Sequence, residues 1–153
     1  MYKFIFLFLL NFLSAQQVCR LSFSNNCLSE KGKISFSIKN IGEKKMRIPV
    51  EFYEYWARPT DIQVYNQEKK DYVDTNYSFD GATCLDVKKC LGKTFFLKKD
   101  RIKEYEIDII PGRISNAFKE KKKYRFKLSF DTYLFSGCND FVTGWLYYDN
   151  SNN

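Results

Sequence analysis

Large apolar residues fall at every second position from Tyr124 through Phe126 and Leu128 to Phe130, with Arg125, Lys127 and Ser129 between them. A period of two places four bulky side chains on one face of a strand and leaves the other face polar. Burying all four contributes roughly 6–12 kcal/mol before ordering costs are subtracted. No other segment alternates so far with such large residues, so 121–130 is expected to be a central strand. Ile34, Phe36 and Ile38 alternate in the same way, as do Met46, Ile48, Val50 and Phe52. Asn40-Ile41-Gly42-Glu43 lies between these two runs as a turn, which predicts a hairpin over 33–39 and 46–52. Pro49 falls on the outward set of the second run and has no N–H for a ladder, so that strand is placed at an edge or a bulge.

Further strands are predicted over 18–24, 62–66, 71–77, 94–97, 104–110 and 141–148. Gln67 to Lys70 form a polar hairpin tip, and Arg58-Pro59 closes the preceding strand. The stretches 79–92 and 132–140 read as loops, and 114–120 as one helical turn. No repeat or interdomain linker interrupts the pattern. Eight or nine short strands punctuated by turns predict an all-β chain, a single antiparallel β-sandwich.

The first fifteen residues have a different character. Lys3 precedes an apolar region of Phe4 to Leu10 with Phe12 and Leu13, and Leu13-Ser14-Ala15 offers a small-residue cleavage site. The run is shorter than the roughly 20 residues that span a bilayer. Residues 1–15 are therefore expected to be a cleaved signal peptide, 16–149 the sandwich, and 150–153 a frayed tail. The chain would be secreted or periplasmic and not membrane-spanning. Removing Lys3 takes the formal net charge from +7 to +6. A Lys-, Asn- and Ile-rich composition of the kind AT-rich coding sequences produce is an alternative account of that surplus to a functional one.

There is no histidine, which excludes His-based acid–base catalysis and every Ser-His or Cys-His nucleophile arrangement. Glu104, Glu106 and Asp108 are paired carboxylates in the sense glycoside hydrolysis requires. On one strand face, spaced by two, they instead read as exposed partners of lysines on a neighbouring strand. No phosphate-binding glycine loop is present. The expectation is a non-enzyme without cofactor or metal.

The order of 33–39, Asn40-Ile41-Gly42, 46–52, Pro111-Gly112, Tyr124-Arg125-Phe126 and a last strand with Trp145 resembles immunoglobulin-like domains of secreted bacterial proteins. That resemblance implies binding more than catalysis, and transfers no site residue. With alternating strand directions, Cys19 and Cys138 share one end of the domain, and in immunoglobulin-like sandwiches the first and last strands can lie side by side. Cys19–Cys138 is the expected bridge. A second bridge would join Cys84 to Cys90, with Cys27 free or replacing one of that pair.

Two segments are candidates for binding. Phe52 to Pro59 places Tyr53, Tyr55 and Trp56 at a strand end with Arg58, a set that stacks on sugars or anchors protein interfaces. The competing reading is that alternate members fill the core, with Trp56 capping one end. Arg113, Lys119, Lys121, Lys122 and Lys123 form a basic stretch able to meet acidic glycans or other polyanions. Against it stands the ordinary use of such charges, blocking edge aggregation before a strand. The first expectation is a protein partner in the envelope or outside the cell, in an inhibitor, immunity-type or accessory role. The second is a carbohydrate or anionic envelope polymer; nucleic acid is not expected of an exported chain.

Overall fold

The structure, a computed structural model, describes residues 19–52, 56–77, 89, 91–110 and 118–151. Ten strands and one short helix lie wholly within them, and Lys89 and Leu91 are also helical. The strands are β1 (Leu21–Asn25), β2 (Lys33–Asn40), β3 (Met46–Pro49), β4 (Ala57–Asn66), β5 (Asp71–Asp74), β6 (Thr94–Leu97), β7 (Ile102–Asp108), β8 (Lys123–Phe130), β9 (Phe141–Val142) and β10 (Leu146–Asp149). The helix, α1, is Tyr133–Ser136. The chain is all-β, with three antiparallel sheets in the orders β1-β2-β7, β10-β8-β4-β5 and β3-β6, and β9 joins β8 beside β10.

Strand β8 lies inside the five-stranded sheet, and Tyr124, Phe126, Leu128 and Phe130 are all essentially inaccessible. Ile34, Phe36 and Ile38 of β2 are buried in the same cluster. Phe36 stacks on Phe130 with ring centroids 4.2 Å apart, so the three- and five-stranded sheets share one core. Phe23 adds contacts to Phe36 and Phe141.

The expected hairpin between the second and third strands does not form: β2 pairs with β1 and β7, and β3 pairs with β6. The cause is Asn40, which is buried. Its Nδ2 donates to the carbonyls of Lys44 and Leu97, and its Oδ1 accepts from Gly42 N–H. These bonds make 40–44 a corner that carries the chain into another sheet. Pro49 is buried and not outward, and its carbonyl accepts a 2.6 Å hydrogen bond from Tyr105.

Arg58-Pro59 does not close a strand but lies within β4. Asp131 N–H donates to Trp56 C=O, so pair 56/131 is hydrogen-bonded and, by alternation, Pro59 opposite Leu128 is not. The missing proline N–H therefore costs no bond to β8. Two residues of β4, Asp61 and Ile62, then oppose the single residue Phe126, and Asp61 takes φ 52°. This is a β-bulge, which bends the strand. The expected strand over 141–148 is likewise broken: β9 and β10 flank Thr143, which bonds Leu128 through both its N–H and its Oγ1. Finally, 132–140 contains α1, closed by Gly137 at φ 68°.

Cys19 and Cys138 are disulfide-bonded, with Cα atoms 5.5 Å apart. The bridge links the start of β1 to the segment after α1, and β1 and β10 belong to different sheets. Cys27 is a free, exposed thiol. Cys84, Cys90 and the expected signal segment lie outside the described residues. Among the described residues no helix is long and apolar enough to cross a membrane.

Candidate functional site

Among the described residues, those singled out from sequence do not converge. Trp56 is buried and packs on Phe52 at 5.5 Å, so it presents no open ring to a sugar. Tyr53, Tyr55 and Arg113 lie outside the described residues. Arg58 binds Asp131 and stands 3.7 Å from Asp140. Burial raises the Asp131 carboxyl above its ordinary value, with Arg58 opposing that shift and Asp140 adding to it. In the basic stretch, Lys122 pairs with Glu120, which its cation holds below the usual carboxylate range. Lys123 pairs with Asp149, while Lys119 and Lys121 are exposed. Lys33 of β2 bridges Glu106 and Asp108 of β7 at 3.0 and 3.3 Å, so two members of the acidic stripe serve as cross-strand partners. Among the described residues no group of three or more His, Cys, Asp or Glu could hold a metal ion.

A different set does converge, on the outer face of the five-stranded sheet. Because Tyr124 and Phe126 point inward, Arg125 and Lys127 of β8 point outward. Register puts Tyr147 of β10 on one side of Arg125 and Gln63 of β4 on the other. Tyr65 of β4 faces Tyr72 of β5, and their rings meet edge-to-face at 5.4 Å. Tyr72 meets Tyr147 edge-to-face at 6.0 Å.

The Arg125 guanidinium occupies the centre of this set. Its carbon lies 4.5 Å from the centroid of Tyr72 and 4.6 Å from that of Trp145, and its Nε donates to Gln63 Oε1 at 2.6 Å. Gln63 in turn donates to Asp74 at 2.6 Å. Lys127 stands 4.7 Å from the Trp145 centroid and 3.0 Å from Asp61, the bulge residue. Burial raises the Tyr72 hydroxyl above its ordinary value, and neighbouring Tyr147 adds to the effect while Arg125 opposes it. Tyr147 is 58% exposed, and Trp145, Tyr65 and Tyr72 are half-buried. A depression of about 570 Å³ opens at the Lys123–Asp149 end, bordered by Tyr72, Tyr147 and Glu30.

Sequence reasoning missed this face because its members come from four strands and a bulge, and each alone reads as an ordinary outward residue. The usable signal was Trp145 and Tyr147 alternating with inward Leu146, combined with the Tyr65/Tyr72 hairpin pair. No protein-family model, curated protein or solved structure matches this chain.

Proposed function

We propose that the chain is an exported, non-enzymatic binding domain, an immunoglobulin-like β-sandwich that engages a protein partner through the outer face of the β10-β8-β4-β5 sheet. One observation carries the reading: Arg125 held between Tyr72 and Trp145, with Tyr65 and Tyr147 alongside. Tyrosine, tryptophan and arginine are the residue types that dominate protein-interface energetics, and rigid rings with a pinned cation lose little entropy on docking. The sandwich reading is supported by the shared core of the two larger sheets and by the Cys19–Cys138 bridge between them. Inhibitor, immunity-type and accessory roles all suit such a face.

A carbohydrate site has less support. Sugar stacking needs an open aromatic face, and Trp145 already has two cations against its ring. The test is a pull-down with residues 16–153, which contain every described element, from the envelope fraction of the parent cells. One stoichiometric protein should survive a moderate-salt wash and be lost with Tyr72→Ser/Tyr147→Ser. Retention of glycan alone, or a protein indifferent to those substitutions, refutes the reading.

A further inference from the structure

The charges on this same face are unequal, and the inequality specifies the partner. Three cations project from β8. Lys123 is matched by Asp149 at 3.3 Å, and Lys127 by Asp61 at 3.0 Å. Among the described residues Arg125 has no carboxylate partner: its hydrogen bond is from Nε to the neutral amide of Gln63. A guanidinium carries five donors, and the terminal Nη groups of Arg125 make no hydrogen bond among the described residues. They are not buried orphans either, so they face solvent. The Tyr72 and Trp145 rings, 4.5 and 4.6 Å from its carbon, cover part of the guanidinium and restrict its motion.

We infer that this face receives an Asp or Glu side chain of an acidic protein partner, taken in bidentate fashion by the Nη groups of Arg125. The inference rests on the protein-binding reading above. A restricted, partly desolvated fork is the geometry that favours paired N–H···O bonds to a carboxylate. The formal net charge, +7 for the full chain and +6 without Lys3, steers an acidic surface toward it. A partner side chain is favoured over an acidic sugar because the Trp145 ring beside the fork also has Lys127 over it at 4.7 Å. The exposed Tyr147 ring and the edges of Tyr65 and Tyr72 suit the apolar surroundings of a protein carboxylate.

The test has two arms. In the first, ¹⁵N-labelled protein is titrated with a Glu-rich decapeptide, with polygalacturonate at equal carboxylate concentration, and with sodium chloride. The peptide should shift the Arg125 Nε–H and Trp145 indole N–H signals saturably and more strongly than the polysaccharide. Arg125→Gln should weaken the response about 10- to 100-fold and Arg125→Lys by an intermediate factor, while Lys39→Gln matches the charge change elsewhere and leaves it intact. Unchanged melting temperatures would exclude unfolding. A stronger response to polygalacturonate, or shifts spread over exposed lysines and insensitive to Arg125→Gln, overturns the inference. In the second arm, Arg125→Gln enters the pull-down. A partner lost with Tyr72→Ser/Tyr147→Ser but retained by Arg125→Gln sinks the carboxylate inference and leaves the protein-binding reading standing. A partner indifferent to all three substitutions removes both.

Discussion

Asn40 is where the chain leaves one sheet for another, and its replacement gives the most informative test of the fold. The side chain is fully buried and makes three hydrogen bonds, two donated and one accepted. Asn40→Ala deletes all three. The bonds to Lys44 and Gly42 are partly exposed, so water recovers some of their worth and each loss costs about 0.5–1 kcal/mol. The bond to the Leu97 carbonyl is buried, and losing it costs about 2–3 kcal/mol because the carbonyl is left without this donor. The expected total is about 3–5 kcal/mol, read from urea unfolding midpoints at unchanged slope. Asn40→Asp is more discriminating. It replaces a donor facing two carbonyl oxygens with an acceptor, so burial and repulsion raise the new carboxyl's folded pKa above its unfolded value. The native state then binds the proton more tightly than the unfolded chain. Stability of Asn40→Asp should be highest in acid and fall as pH rises from the ordinary aspartate range toward the raised folded value. Asn40→Ala should show no such added slope. A loss below about 1 kcal/mol for Asn40→Ala, or parallel pH profiles for the two variants, would refute the corner argument.

Three other outcomes are expected. The Cys19–Cys138 bridge spans 119 residues, so Cys19→Ser/Cys138→Ser should lower stability by up to about 5 kcal/mol in the chain-entropy model; calorimetry should show a large drop in melting temperature, and an unchanged value counts against the bridge. Gly32 has φ 73°, and an added Cβ would lie 2.4 Å from the Ile110 carbonyl oxygen, so Gly32→Ala should cost about 2–4 kcal/mol by urea titration, and a neutral substitution would contradict this close approach. Lys33 is held above the ordinary lysine value by Glu106 and Asp108, so its stabilisation is present below the unfolded lysine pKa and lost as pH rises through the folded one; Lys33→Gln should flatten that alkaline decline, and an unaltered slope would show the pairs idle in solution.

Much of the inner surface was legible along the chain. Tyr124 to Phe130 and Ile34 to Ile38 alternate as they are buried, because the strand period is two and a dry face must be apolar. The same period is silent about neighbours. The run from Met46 to Ile48 satisfies it equally well beside β2 or β6, and the choice fell to a buried amide three hydrogen bonds deep. Pro59 looked like a terminator because its missing N–H matters only when it faces a partner, and pair parity with β8 turns it away. The proposed binding face was illegible for a related reason. Gln63, Tyr72, Arg125 and Trp145 span more than eighty positions, and none is unusual where it stands.

What could be read from the residues alone is therefore local: an all-β chain, its inward faces and the absence of histidine. Which strands became neighbours, and which outward residues met around Arg125, came from folding. Alternation specifies the side a residue points to, a one-dimensional property. Adjacency depends on bulges, corners and register between distant segments, and those are fixed by the free energy of the whole packed core.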